Sequence, residues 1–210
     1  MKTLNALSKN LSISIFTLIL FVGLSTSTKA QETDSTETLF GGETKIGFIY
    51  GIDLKTNSIQ DEIGTLTSFY GGTLLNRSLL LGLAVGANIS HPDVNYSYIG
   101  FMAQLTFNPQ ELFHASGQVV FSYAQAKDYL REKTSLFDDF LNTNGASFYF
   151  LEPGANLEVN ISNSVRLVAG LSYRIAFGLD EENEHIALTN VNNSDMSGLN
   201  FNLGVKVGIY

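Results

Sequence analysis

The side chains of this 210-residue chain that could do chemistry fall into a few groups, and the densest is a set of opposite charges: Glu152, Glu158, Arg166, Arg174 and Lys206, with Lys45 as a further member. Held together away from water, such groups pair and fix the register of the elements that carry them, or they line a passage and set its selectivity. A second group is Ser90-His91-Pro92-Asp93, which offers a nucleophile, a base and an acid. Catalysis needs those three to meet in space, which adjacency along the chain does not provide, and Pro and Asp are ordinary turn residues. A third is the acidic stretch Asp180, Glu181, Glu182, Glu184 and Asp195 around His185. Its carboxylate density suits a hard divalent cation, but the spacing of a calcium loop is absent, so a solvated loop is the expectation. No catalytic residue, resident metal or cofactor is expected, and His114 reads as a hydrogen-bonded interior residue.

The charged set needs elements that bring residues 45, 152–174 and 206 together. From Phe40 onward helix-period patterns are scarce and period-two alternation recurs, with Gly, Asn, Thr, Ser and aromatic residues between. Eight strands are predicted, at residues 43–54, 65–75, 79–89, 96–107, 112–126, 146–161, 165–179 and 199–210. Short turns at Asn76-Arg77-Ser78, Asn108 to Glu111 and Ser162 to Ser164 alternate with longer connections at 55–64, 90–95, 127–145 and 180–198. An even number of strands joined in that way predicts an all-β, eight-stranded antiparallel up-and-down barrel, with short turns at one end and long loops at the other.

Alternation alone fits a soluble barrel as well as a transmembrane one. Residue size separates them. In the seventh strand Val165, Leu167, Leu171, Tyr173, Ile175 and Phe177 share one parity, against Arg166, Gly170, Ser172, Arg174 and Gly178. The eighth repeats it, with Leu199, Phe201, Leu203, Val205 and Val207 against Asn200, Asn202, Gly204 and Lys206. Glycine on a water-facing strand surface brings only an entropic cost, whereas a narrow barrel interior needs small residues opposite large ones. The polar face therefore points inward and the apolar face meets lipid. The opposite assignment would put Arg or Lys against lipid at roughly 2–4 kcal/mol each near the bilayer midplane. Glu152, Glu158, Arg166, Arg174, Lys206 and Lys45 then share the lumen. Outward aromatics collect toward strand ends as candidate girdles, Tyr123, Tyr149, Phe177 and Phe201 toward the loops and Phe107, Phe113 and Tyr210 toward the turns. Pro153 faces lipid without a ladder donor, which predicts a bulge or a projecting strand end.

Residues 1–30 read as a secretory signal: Lys2 and Lys9, the uncharged run Leu11 to Leu24, and small residues before a cleavage site after Ala30. Residues 31–39 are a polar lead-in, and 40–210 the barrel domain. The whole chain carries a net charge of −8; residues 1–30 hold three lysines and no acid, so the remainder carries −11. No basic patch offers itself to phosphates, which argues against a nucleic-acid partner. The chain has no cysteine, so disulfides play no part.

The stretches "FLEPGANLEVNISNSVRLVAGLSYR" and "SDMSGLNFNLGVKVGIY", with the strand pattern, resemble the small outer-membrane β-barrel families of Gram-negative bacteria, especially those of Bacteroidota. More loosely the plan is similar to the eight-stranded OmpA- and OmpX-type barrels. The resemblance implies an outer-membrane location, contacts with outer-membrane lipids and lipopolysaccharide, and recognition of Tyr210 by the outer-membrane assembly machinery. The alternation counted back from Tyr210 departs from the usual pattern, because Gly208, Lys206 and Gly204 share its parity. The functional expectation is a monomeric, non-enzymatic membrane protein with a plugged polar lumen, structural in the envelope or active in surface interaction. The alternatives are a narrow, porin-like channel, a lipid-modifying enzyme and a soluble periplasmic binding barrel.

Overall fold

A computed structural model describes residues 44–59, 62–90, 94–128, 146–179 and 192–209. Its strands are β1 (Ile46–Ile59), β2 (Glu62–Leu75), β3 (Leu79–Ser90), β4 (Val94–Thr106), β5 (Phe113–Asp128), β6 (Ala146–Asn160), β7 (Val165–Phe177) and β8 (Gly198–Ile209), with a one-turn helix, α1 (Asn193–Met196), before β8. Each strand pairs antiparallel with its sequence neighbour, and β1 pairs with β8, so the sheet closes as β1-β2-β3-β4-β5-β6-β7-β8. The protein is an eight-stranded antiparallel up-and-down transmembrane β-barrel, and among the described residues no sheet edge is left free to pair elsewhere.

The register fixes the shape of the wall. A row of paired residues leaves β7 at Phe177 and passes through Tyr149, Tyr123, Ile99, Val85, Phe69, Ile52 and Val205. It returns to β7 at Leu167, ten residues closer to the turn end. That stagger tilts the strands by about 40°. Along the row every side chain faces out. On the other parity Gln104, Gln118, Asn156 and Lys206 are buried, but so are Ile49, Tyr70, Tyr96, Phe148 and Phe150. The inward and outward parities therefore hold around the ring, while the expectation of small or polar residues inside fails where these large side chains pack in the lumen.

Glycine and tyrosine exchange space inside the barrel. A side-chain carbon on Gly51 would fall within the Tyr70 ring, and one on Gly86 within the Tyr98 ring. Each tyrosine thus lies across the lumen side of a neighbouring strand, which a larger residue would forbid.

The turn-end connections are chemically specified. In Leu75–Ser78 both central residues have positive φ, 51° at Asn76 and 62° at Arg77, and Ser78 N–H donates to the Leu75 carbonyl at 3.0 Å. This is the sign pattern of a hairpin turn of type I′. At the third turn Ser162 Oγ accepts from the N–H groups of Ser164 (3.2 Å) and Val165 (3.1 Å), closing it locally.

Three expectations are corrected. The first two loop-end connections are short, because β1 runs to Ile59 and β2 starts at Glu62, while β3 runs to Ser90 and β4 starts at Val94. Polar residues such as Thr56 and Thr65 continue the ladder there, since only the buried face of a strand must be apolar or paired. Pro153 makes no bulge: Leu151 pairs with Ile175 and Gly154 with Ser172 in one register, and only the two intervening pairs are missing. The register shift seen in the wall lies between Thr65 and Leu66. Before β8 a helical turn stands where loop was expected. Asn192 caps it by accepting from Asp195 N–H (3.0 Å), while the Asp195 carboxylate accepts from Asn192 N–H (3.0 Å). Residues 1–39, Tyr210, His91-Pro92-Asp93 and the acidic stretch 180–191 with His185 lie outside the described residues.

Candidate functional site

β6 sends two carboxylates into the lumen, both pointing inward because they lie six residues apart on one parity. Glu152 is 1% exposed and Glu158 0%. Burying a carboxylate is tolerable only when cations and hydrogen bonds replace its water, and each of these is so supplied.

Glu152 sits toward the loop end. It accepts from Lys55 Nζ of β1 at 2.6 Å, from Ser172 Oγ of β7 at 2.8 Å and from Arg174 Nε of β7 at 3.4 Å. The guanidinium of Arg174 also donates to Asn200 Oδ1 of β8 at 3.2 Å. Its plane lies near two rings, 4.9 Å from the Tyr96 centroid and 5.3 Å from that of Phe150. Aromatic faces thus cover the cation on the side where Tyr96, Phe148 and Phe150 form a buried apolar layer.

Glu158 sits toward the turn end and gathers more partners. Lys206 Nζ of β8 donates at 2.6 Å, Ser116 Oγ of β5 at 2.5 Å and Gln104 Nε2 of β4 at 2.9 Å, all to Oε1. Its other oxygen faces His114 Nε2 at 3.3 Å and Arg166 Nη1 at 3.7 Å. Lys206 also donates to Gln104 Oε1 at 2.7 Å, which ties β8 to β4 across the interior. Between the carboxylates, Asn156 donates to Gln118 Oε1 (3.0 Å) and accepts from Asn202 Nδ2 (3.1 Å). Asn156 also donates to Ser116 Oγ at 3.3 Å, which joins this group to the Glu158 cluster.

Of the charged set named from sequence, Glu152, Glu158, Arg166, Arg174 and Lys206 are brought together. Lys45 is not: it precedes β1 and is exposed at the turn end, where its backbone N–H donates to Asn76 Oδ1 at 2.9 Å. It has the inward parity, but the wall has already ended and water solvates it. Its place is taken by Lys55, expected in the connection 55–64, and by Asp53, buried and in contact with Tyr70 Oη at 3.5 Å. The signal for both was present, since Asp53 and Lys55 alternate with Ile52 and Leu54.

On the outside, Tyr149 and Phe177 stack with Phe121 at centroid separations of 6.1–6.3 Å, and Tyr123 meets Tyr149 edge-on at 5.5 Å. Phe107 and Phe113 are exposed at the turn end. Phe201 stands elsewhere than expected: it pairs with Leu171, midway along β7, because the stagger of the wall lowers β8 relative to the loop ends of β5 to β7.

An apolar outer belt, a closed ring of eight tilted strands and an ion-paired interior define a class of fold, that of the small eight-stranded outer-membrane β-barrels. Solved structures share this fold. Neisserial surface protein A aligns with a TM-score of 0.54 at 16% identity, over 79% of this chain and 99% of that one. The N-terminal β-barrel domain of Pseudomonas aeruginosa OprF aligns with a TM-score of 0.51 at 14% identity, over 77% and 97%. The likeness is one of fold. No protein-family model matches the sequence, and no curated protein does.

Proposed function

We propose that the chain is an integral outer-membrane protein whose barrel is sealed by its own side chains, and that it acts in envelope structure or surface contact without catalysing a reaction. One observation carries the reading. The bonds Lys55–Glu152, Lys206–Glu158 and Lys206–Gln104 each join strands that are not neighbours in the wall, so side-chain bonds, two of them ion pairs, cross the interior. Contact with other molecules is then left to the lipid-facing belt and to the loop end, where the connections at 129–145 and 178–197 are the long ones. Outer-membrane lipids and lipopolysaccharide are the partners this implies, with Tyr210 offered to the assembly machinery and the barrel itself a monomer.

The test is conductance of the refolded protein in planar lipid bilayers. Absence of steady single-channel events is expected. Steady events that change in size with Glu152→Gln or Arg174→Gln would replace the sealed barrel by a narrow channel. An altered lipid A profile in cells lacking the protein would replace the non-enzymatic reading by a lipid-modifying one.

A further inference from the structure

The turn-end mouth carries a feature that the sealed lumen does not require. Between β4 and β5 the chain runs through residues 107–112, and its backbone carbonyls are bound by side chains whose parity points into the barrel. Asn160 of β6 donates from Nδ2 to the carbonyls of Pro109 (3.1 Å) and Glu111 (2.7 Å). The Glu111 carbonyl can only accept, so His114 Nδ1 of β5 donates to it at 3.1 Å. From β7, two strands further round the wall than β5, Arg166 Nη2 reaches the Pro109 carbonyl at 3.5 Å.

A surface turn normally leaves such carbonyls to water. Inward side chains of three strands can reach them only if the segment folds over the opening. The buried groups beneath agree, for His114 and Arg166 are only 6% and 3% exposed although both stand within two residues of a strand end. The segment is also locally shaped. Asn108 has a positive φ of 47°, Glu111 N–H donates to the Asn108 carbonyl at 3.0 Å, and Pro109 occupies the turn position that its fixed φ suits. Asn160 closes it from the other side, its own N–H donating to the Leu112 carbonyl at 3.0 Å.

We propose that residues 107–112 are a latch that closes the turn-end mouth over the Glu158 cluster, with Asn160 as its catch. The latch controls access of water and small solutes to the lower charge cluster from the turn side. It deepens the sealed-lumen reading, on which it rests.

The chain's lack of cysteine makes the test direct. Thr106→Cys places a thiol at a buried position under the segment, and Ser122→Cys places one in the lumen toward the loop end. Each full-length protein, refolded in lipid nanodiscs, is treated with a small charged methanethiosulfonate reagent, with and without Asn160→Ala. With Asn160 intact both thiols should react slowly. Removing the two side-chain bonds of Asn160 should speed Thr106→Cys roughly tenfold and leave Ser122→Cys unchanged. Equal rates at Thr106→Cys with and without Asn160, or an equal acceleration at both thiols, would overturn the latch. Amide exchange in the Asn160→Ala protein without any cysteine gives a second reading. Faster exchange at Glu111 with unchanged exchange in β6 supports the latch, and unchanged exchange at Glu111 refutes it. Bilayer conductance of the wild-type protein would count against the sealed lumen alone, because the thiol rates are read at the mouth.

Discussion

Glu158 draws short bonds from Lys206, Ser116 and Gln104 and faces Arg166 and His114, whereas Glu152 draws on Lys55, Ser172 and Arg174. Removing either negative charge leaves buried cations without the carboxylate they contact, which typically costs about 3–5 kcal/mol. Glu152→Gln and Glu158→Gln should each destabilise the folded barrel on that scale in urea unfolding followed by tyrosine fluorescence, while Asn163→Ala in an exposed turn should stay within about 0.5 kcal/mol. A pair of glutamine variants as stable as Asn163→Ala would show that the clusters are spectators. Backbone strain gives a prediction of opposite sign. Arg77 holds a φ of 62°, where a Cβ is penalised, so Arg77→Gly should raise stability by about 1 kcal/mol in the same assay. Most of this chemistry could be read from parity alone, since Glu152, Glu158, Arg166, Arg174 and Lys206 alternate with large apolar residues. Lys55 stands in the lumen where Lys45 is expected, because parity says which face a residue has and nothing about where the wall begins. That limit is set by pairing, Ile46 with Leu75 at one end and Ile59 with Glu62 at the other, and pairing is a property of two segments together.

The same distinction governs whole strands. Eight strands and their order followed from alternation and turn residues, because a two-residue period and positions such as Asn76 or Ser162 act locally. Relative height did not follow, since it depends on the ten-residue stagger that appears only when β1 pairs with β8. Phe201 shows the consequence. Counted along its own strand it lies near the loop end, yet the stagger sets it opposite Leu171 in the middle of β7. The two placements differ in energy. An arginine at the bilayer midplane costs about 2–4 kcal/mol and one near an interface about 0–1 kcal/mol. Phe201→Arg should therefore carry the larger penalty and Phe177→Arg, at the end of β7, the smaller, as measured by reversible unfolding in phospholipid vesicles. Equal penalties would return Phe201 to the girdle. Pro153 belongs to the same scale. By dropping two pairs from the β6–β7 ladder without moving its register, it leaves the inward aim of Glu152 and Glu158 intact, which a bulge would have broken.

At the scale of the whole molecule, the closed order of the strands puts Ile46 and Ile209, the first and last strand residues, at the same end as the turns after Leu75, Thr106 and Asn160. The remaining connections, including 129–145 and 178–197, leave from the opposite end. A chain inserted with its ends and short turns on the periplasmic side presents the long connections outward. Orientation is thus a consequence of an even strand count and of connection length, and it can be read in cells. A short epitope inserted after Lys133, between β5 and β6, should bind antibody on intact cells. The same epitope after Asn163, in the β6–β7 turn, should bind only once the outer membrane has been permeabilised. Labelling of both on intact cells would signal a damaged envelope, which release of a soluble periplasmic marker would reveal. Labelling of the Asn163 site alone would invert the barrel. Labelling of neither before permeabilisation, with recovery of the protein in the soluble periplasmic fraction, would remove the outer-membrane reading and leave the apolar belt, from Ile46 to Ile209, without a lipid to cover it.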